Sequence, residues 1–169
     1  ARPVLDLHLR LRAWWGLHRT RRVRVGQHTI EVPPGVLDPV LFRAGAWLAD
    51  RVAATCIDHP SLRVLDLGCG TGVVGVLAQA AGADVVASDL DPRACSAARD
   101  NGVRDVRRGD LFEAVAGERF DLVAFNPPFL PGRPQDHPLG RALFGGEGLA
   151  LIRRFAATLD DHLAPSGLA

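Results

Sequence analysis

Residues 64–72 read Val-Leu-Asp-Leu-Gly-Cys-Gly-Thr-Gly, and this stretch decides the fold. A short apolar run ends at Leu67, glycines follow at alternate positions, and a second apolar run continues to Ala81. Glycine lets the backbone turn sharply and lets a ligand approach without meeting a Cβ atom. The pattern predicts a buried strand, a ligand-binding loop, and a helix whose first N–H groups attract a carboxylate or phosphate.

Strand and helix signals alternate downstream of this loop. Strands are predicted over 63–67, 84–88, 103–107 and 120–125, with a fifth starting at Gly167, and helices over 72–81, 92–101 and 148–163. This alternation indicates a doubly wound α/β fold of Rossmann-like type, with a mostly parallel sheet covered on both faces. Because a buried parallel sheet should not end on such a strand, we expect further C-terminal strands that are missing from this chain.

The segment ahead of the loop has a different pattern. Residues 1–60 predict a helix over 4–17, a hairpin over 22–32 and a helix over 39–57, all leading into a catalytic region over 61–169 within one compact domain. The three tryptophans, Trp14, Trp15 and Trp47, are expected in the core. Residues 1–24 are rich in arginine, which indicates either a solvated face or a contact for phosphates or an acidic partner.

Composition excludes several classes of protein. The net charge of +1 neither indicates nor excludes a polyanionic partner. Cys56, Cys69 and Cys95 are odd in number and widely spaced, which argues against a disulfide framework or a zinc site. The six histidines are interpreted as surface or cap residues, so we expect no metal. No apolar run is long enough to span a membrane, so we expect a cytoplasmic protein without a membrane partner.

Two cofactors compete for the glycine loop. Gly70, Gly72 and Gly75 match the dinucleotide fingerprint, with Asp89 at the spacing of a ribose-binding acid, so an NAD-dependent oxidoreductase is one reading. Asp66 favours the other reading, because its carboxylate suits a ligand with a cationic amine better than one with a diphosphate. S-adenosylmethionine carries an ammonium, a carboxylate, a sulfonium and both ribose hydroxyls, and it is the predicted cofactor.

Here the chain resembles class I S-adenosylmethionine-dependent methyltransferases, because the loop, the acid ending the second strand and the acid after the third occur in the same order. The resemblance implies that Asp66 and the loop hold the methionine part and that Asp89 binds the ribose hydroxyls. It implies that Asp110 and Leu111 bind the adenine edge while Leu90 packs on the adenine face. The loop residues so implied are Gly68, Cys69, Gly70, Thr71 and Gly72.

The fourth predicted strand runs directly into Asn126-Pro-Pro-Phe129. The two prolines stiffen the turn and remove two N–H donors. The Asn126 Oδ1 atom and the Pro127 carbonyl can accept both hydrogens of an NH₂ group, and Phe129 can stack on a planar group. Asn126, Pro127 and Phe129 are therefore the candidate catalytic residues, which position a planar nitrogen and stabilise its developing charge. Asn126 is also predicted to contact the cofactor.

This motif resembles the Asn/Asp-Pro-Pro-aromatic signature of amino-methyltransferases. The runs Gly109-Asp-Leu-Phe-Glu113 and Arg141-Ala-Leu-Phe-Gly-Gly-Glu-Gly-Leu149 are similar to the release-factor glutamine methyltransferase family. The resemblance implies methylation of a glutamine amide in a protein such as a translation release factor, with S-adenosylhomocysteine as product. A base amine in rRNA, tRNA or DNA is the main alternative, followed by a small-molecule nitrogen and by a scaffold that binds cofactor without turnover.

Overall fold

The computed structural model describes residues 19–130 and 140–169. The predicted helix over 4–17 and the Pro-rich stretch 131–138 lie outside the described residues. The described strands are β1 (Arg21–Val25), β2 (His28–Val32), β3 (Arg63–Leu67), β4 (Asp84–Asp89), β5 (Asp105–Arg108), β6 (Phe120–Phe125) and β7 (Leu163–Leu168). The described α-helices are α1 (Ala44–Asp58), α2 (Val73–Ala80), α3 (Pro92–Asp100), α4 (Gly140–Leu143) and α5 (Ala150–His162), with short 3₁₀ helices at Leu111–Val115 and Glu147–Leu149.

The central sheet has the strand order β5-β4-β3-β6-β7, and every pair in it is parallel. The first strand of the series, β3, lies in the middle, and the chain runs outward from it first through β4 and β5 and then through β6 and β7. This arrangement places a crevice at the carboxyl ends of the strands where the direction of winding reverses. The predicted doubly wound α/β fold is confirmed.

The core has two layers because alternate residues of β3 face opposite sides of the sheet. Val64 packs with the hairpin, α1 and α2, whereas Leu65 packs with the 3₁₀ helix at Leu111–Val115 and with β6. Both residues are fully buried. This double burial explains why β3 is almost continuously apolar rather than alternating.

The N-terminal hairpin is confirmed, with β1 and β2 pairing antiparallel around Gly26-Gln27. The helix after it begins at Ala44 rather than at Pro39. The Asp38 Oδ1 atom accepts hydrogen bonds from the backbone N–H groups of Val40 and Leu41, both at 2.9 Å, and this turn competes with the helix. The core placement of Trp47 is wrong, since its side chain is 65% exposed. The buried face of α1 is formed instead by Ala49, Val52 and Cys56.

Two strands differ from the prediction in their first residue. The third strand of the series, β5, begins at Asp105 because the Val103 N–H donates to the Ala98 carbonyl and so extends the turn that ends α3. The last strand, β7, begins at Leu163 instead of Gly167 and follows α5 without a loop. It contains Pro165, which has no N–H to donate, and a sheet edge tolerates such a residue.

The predicted surface position of one histidine is wrong. His162, expected at the surface, is buried and stacks on Phe112 with ring centroids 4.3 Å apart. Its Nδ1 atom lies 3.0 Å from the Glu118 carbonyl oxygen. A last-turn histidine offers no signal of burial until α5 is packed against the sheet.

The Glu118 carboxylate joins two strands of the sheet. It forms ion pairs with Arg63 on β3 and Arg107 on β5, and all three side chains are between a quarter and two fifths exposed. Hydrogen bonds, first from Arg107 and then from Arg63, lower the pKa of Glu118 despite the opposing effect of burial. The carboxylate therefore contributes stability while it is charged.

We expect Glu118→Gln to lower the free energy of unfolding by about 1 kcal/mol at neutral pH, because both ion pairs lose their charge. A lowered pKa in the folded state makes this contribution full above the unfolded value of about 4.3 and smaller as the pH falls below it. Urea unfolding of both proteins at about pH 7 and about pH 4 measures the difference. Glu31→Gln, which removes the exposed pair with Arg22, is the control and should cost less. Equal losses in the two variants would contradict this account.

Candidate functional site

A cavity of about 350 Å³ opens at the carboxyl ends of β3, β4 and β6. This volume lies in the range of small-molecule sites, roughly 300–1,000 Å³. The sheet contributes the glycine loop after β3, the acid that ends β4, the acid after β5, and the Asn-Pro-Pro turn after β6. Residues of the segment 35–48 form a further wall. The cavity therefore occupies the switch point that the topology predicts.

The glycines of the loop meet two different requirements. Gly68, Gly70 and Gly72 all have positive φ angles, at 67°, 54° and 74°. A Cβ atom on Gly72 would lie 2.8 Å from the Ala98 Cβ, so a side chain there would push the loop away from α3. A Cβ atom on Gly70 would meet nothing within 4 Å. Gly70 therefore borders open space, as a loop that admits a ligand requires.

Asp66 and Asp89 place two carboxylates on the wall of this cavity. The Asp66 Oδ2 atom accepts a 3.0 Å hydrogen bond from the Gly75 N–H. Burial raises the pKa of Asp66 to about 7, against the lowering effect of that hydrogen bond and with a smaller contribution from the Asp89 charge. Asp66 thus carries a proton more readily than an ordinary carboxyl group, and a cation placed beside it would favour the charged form.

Asp89 organises the loop as well as facing the cavity. Its Oδ2 accepts from the Gly70 N–H at 3.0 Å and its Oδ1 accepts from the Asp91 N–H at 2.8 Å. Burial raises the pKa of Asp89, and these hydrogen bonds partly offset it. Each carboxylate oxygen can accept a second hydrogen bond from a ligand hydroxyl. Asp91 caps α3 through its side chain by accepting from the Arg93 N–H.

Asp110, Leu111 and Leu90 also line the cavity, on the side away from the Asn-Pro-Pro turn in strand order. The Asp110 Oδ2 atom accepts a 2.9 Å hydrogen bond from Arg154 of α5. The Leu90 carbonyl accepts from the Arg108 Nε at 3.3 Å, while its side chain is 42% exposed. The structure therefore brings these three residues together at the cavity, with Asp110 and Leu90 each held by an arginine.

Asn126 reaches the glycine loop because β6 pairs with β3. Phe125 lies opposite Leu67, and its ring approaches within 3.3 Å of where a Cβ atom of Gly68 would lie. Asn126 and Pro128 line the cavity, whereas Pro127 and Phe129 are absent from its lining. The Phe129 side chain is 62% exposed. Of the three predicted catalytic residues, the structure places Asn126 beside the loop and leaves the Phe129 ring in solvent.

Backbone hydrogen bonds to residues 143–145 stabilise the turn after β6. The Leu130 N–H donates to the Leu143 carbonyl at 3.0 Å, and the Gly145 N–H donates to the Leu130 carbonyl at 3.1 Å. A Cβ atom on Gly145 would collide with the Pro128 carbonyl oxygen. Glycine at position 145 is therefore required for the Asn-Pro-Pro turn to keep its position.

The sequence missed the wall formed by the N-terminal segment. Gly35, Val36 and Phe42 line the cavity, and Arg93 of α3 does so too. The Arg93 Nη1 atom lies 2.6 Å from where a Cβ atom of Gly35 would be, and the φ angle of 79° at Gly35 favours glycine at this position. The Pro33-Pro34-Gly35 turn signals a sharp change of direction, but nothing local indicates that it ends against the loop.

Other site types find no support in the described residues. Residues 19–130 and 140–169 contain no group of three or more His, Cys, Asp and Glu side chains arranged to hold a metal ion. None of the described helices combines the length and apolar character that a membrane span needs. The three cysteines are free and buried, and burial, followed by the charges of Asp66 and Asp89, raises the pKa of Cys69.

Among proteins of known function, a relative named release factor glutamine methyltransferase from Xylella fastidiosa is 35% identical over 128 residues. That alignment covers 66% of this chain and 46% of the relative, so the chain spans about half the length of this relative. The E. cuniculi Mtq2 structure, solved with Trm112 and responsible for methylating the termination factor eRF1, matches with a TM-score of 0.57 and 31% identity. It aligns 73% of this chain with 68% of the solved chain.

A third comparison concerns RNA. The T. thermophilus 16S rRNA N2 G1207 methyltransferase, solved with AdoMet and guanosine, matches with a TM-score of 0.55 and 26% identity over 66% of this chain and 33% of that one. The AdoMet in this structure agrees with the predicted cofactor. The family model described as methyltransferase small domain matches residues 44–151. This chain belongs to the methyltransferase small domain family.

Proposed function

We propose that this chain is the catalytic part of an S-adenosylmethionine-dependent methyltransferase that acts on a planar nitrogen. The acceptor we propose is the side-chain amide of a glutamine in a protein such as a translation release factor. The observation that carries the proposal is the position of Asn126, which follows β6 directly and lies beside the glycine loop. The similarity to a release factor glutamine methyltransferase supports the choice of acceptor.

The residues of the cavity fit the cofactor. When bound, S-adenosylmethionine supplies a methyl group on a sulfonium sulfur. Asp66 would pair with the ammonium, and Asp89 would accept hydrogen bonds from the two ribose hydroxyls with the capacity its oxygens retain. Gly70 leaves open space for the methionine part, and Asp110 with Leu111 would meet the adenine edge. Cys69 and Thr71 are buried loop residues that support this geometry.

The chain's own part in the reaction is to orient the acceptor nitrogen. The Asn126 Oδ1 and the Pro127 carbonyl would accept the two hydrogens of the acceptor NH₂, which directs its lone pair toward the methyl group. The same two oxygens would stabilise the positive charge that develops on the nitrogen. The exposed Phe129 ring is available to stack on the planar acceptor when it arrives.

Charge at the described start of the chain favours a protein acceptor over a nucleic acid. Arg21 lies 2.8 Å from Asp38, and Arg22 lies 3.3 Å from Glu31, so both cations have acidic partners. The rim of the cavity includes partly exposed apolar side chains of Phe42 and Leu90, which suit a peptide better than a phosphate backbone.

Free, unpaired cysteines support a reducing compartment such as the cytoplasm.

A base amine in ribosomal RNA is the second candidate. The similarity to a methyltransferase of a guanine N2 amine favours it, since that nitrogen is also planar and exocyclic. Asn126 and Pro127 would bind its two hydrogens in the same way. The two candidates therefore differ in the surface outside the cavity and share the chemistry inside it.

The acceptor is identified by adding the full-length protein and methyl-labelled S-adenosylmethionine to an extract of cells that lack this protein. The products are then divided between nuclease and protease treatment. We expect label that survives nuclease and follows one protein band, in which mass spectrometry locates a methylated glutamine. Label released by nuclease would replace the protein acceptor with RNA or DNA, and cofactor bound without any transfer would contradict the proposed activity.

We expect cofactor affinity to depend on pH through Asp66. Its pKa of about 7 in the free chain means that the carboxyl must lose a proton below that pH before it can pair with an ammonium. Affinity for S-adenosylhomocysteine should therefore rise by up to about tenfold per pH unit between about pH 5.5 and about pH 7, and then level off. Calorimetry in buffers of different ionisation enthalpy measures both the affinity and the proton release.

Asp66→Asn is the matched control because it keeps the shape of the side chain and removes the titration. Its affinity should be lower and should lose the pH slope, and any slope that survives belongs to Asp89. A wild-type affinity that stays constant across this range would contradict the pairing of Asp66 with the ammonium.

Asn126→Ala should separate catalysis from cofactor binding. Removing the amide oxygen is expected to lower kcat by about 100-fold or more, the usual effect of losing one charge-stabilising group. Affinity for S-adenosylhomocysteine should change much less than kcat, by less than about threefold, because Asp66 and Asp89 remain in place and the predicted contact of Asn126 is only one of several with the cofactor. Asn126→Asp keeps an acceptor oxygen and should retain more activity than the alanine variant. An alanine variant as active as the wild type would remove Asn126 from the proposed mechanism.

A further inference from the structure

The side-chain amide of Asn101 joins three separate parts of the fold. Asn101 follows the last residue of α3, and its Nδ2 atom donates to the carbonyl oxygens of Glu31 at 2.8 Å and Thr71 at 3.0 Å. Its Oδ1 atom accepts from the Glu31 N–H at 2.8 Å. Both amide hydrogens and the amide oxygen are thus engaged by backbone groups that lie 30 and 70 residues away in sequence.

The contact with Glu31 fixes the hairpin. Glu31 lies in β2, whose outer edge faces away from β1, and Asn101 binds its N–H and carbonyl together as a neighbouring strand would. Four residues later the chain reaches Gly35 and Val36, which form part of the cavity wall. The Val36 N–H donates to the Pro33 carbonyl, so the connection from β2 to this wall is a short, closed turn.

The contact with Thr71 fixes the glycine loop. Thr71 is 2% exposed and lies between Gly70 and Gly72, both of which have positive φ angles. In the same loop the Gly70 N–H donates to Asp89, so a shift of the loop would also change the contact with that carboxylate. A single amide therefore holds the glycine loop and the segment 35–36, two walls of the same cavity, at a fixed separation.

We propose that Asn101 is a positioning residue for cofactor binding, which couples the hairpin to the glycine loop. The proposal rests on the cofactor site proposed above. Replacing Asn101 should weaken cofactor binding by the folded protein, in addition to lowering its stability, because the two walls of the cavity would no longer be held together. A purely structural clamp would lower stability and leave the affinity of the folded protein unchanged.

Gln79 of α2 provides a matched control, because its side chain binds the turn that follows Asn101. Its Nε2 atom donates to the Gly102 carbonyl and its Oε1 accepts from the Arg104 N–H, both at 3.0 Å. This amide also holds two backbone groups, but its side-chain hydrogen bonds go neither to the hairpin nor to the glycine loop. Asn101→Asp and Gln79→Glu each replace the NH₂ group with an oxygen of nearly the same size.

The experiment measures the Kd for S-adenosylhomocysteine by calorimetry, and the thermal midpoint of unfolding, in the wild type and both variants. We expect Asn101→Asp to raise the Kd about tenfold, the effect of losing one or two hydrogen bonds at the site. Gln79→Glu should change the Kd by less than about twofold, although it should lower the thermal midpoint of unfolding by about as much as Asn101→Asp does. Equal effects of the two variants on the Kd, or no effect of Asn101→Asp, would overturn the proposal.

Two further observations keep the test decisive. If Asn101→Asp does not fold, Asn101→Ala and Gln79→Ala remove the amides without adding charge, and the same order of Kd values is expected. In the folded Asn101→Ala protein, the KM for the cofactor should rise and the KM for the acceptor should stay unchanged. A folded wild type that does not bind S-adenosylhomocysteine would instead overturn the proposed function, which separates that failure from a failure of the Asn101 proposal.

Discussion

The pairing of β3 with both β4 and β6 is the constraint on which the rest of this protein depends. Leu67 lies opposite Ser88 on one side and Phe125 on the other. Because parallel strands end at the same edge of a sheet, the residues that follow these three positions meet there. The glycine loop, Asp89 and Asn126 are therefore neighbours in space although they are spread over some 60 residues of sequence.

Buried carboxylates give this meeting point its chemistry. Asp66 and Asp89 both lose hydration on folding, which raises the pKa of each, and backbone N–H groups of the glycine loop and α2 compensate part of that cost. Burying these two carboxylates costs most free energy when no cation or hydroxyl group lies beside them to replace the lost water. We propose that the same groups that shape the loop bind the ammonium and the ribose of the cofactor.

Glycine and asparagine residues allow the loops around the cavity to pack closely against neighbouring segments. Gly72 lets the glycine loop contact α3, Gly145 lets the chain after β6 pass behind Pro128, and Gly35 leaves room for Arg93. Asn101 then links the hairpin to the loop through three hydrogen bonds. At Gly72 and Gly145, backbone atoms of a neighbouring segment lie too close for a larger side chain.

The sequence by itself determined the doubly wound sheet and the glycine loop, because apolar periodicity and glycine spacing are local properties. It also indicated which acidic residues line the cavity, because each lies at or just after the end of a predicted strand. It also predicted the Asn-Pro-Pro turn at the end of β6, since proline restricts the backbone wherever it occurs. Only the tertiary structure decided that residues 35–48 form a wall of the cavity, that Trp47 is exposed and that His162 is buried. These features, like the contacts of Asn101, depend on which elements pack together across long separations in sequence, and no local pattern encodes that packing.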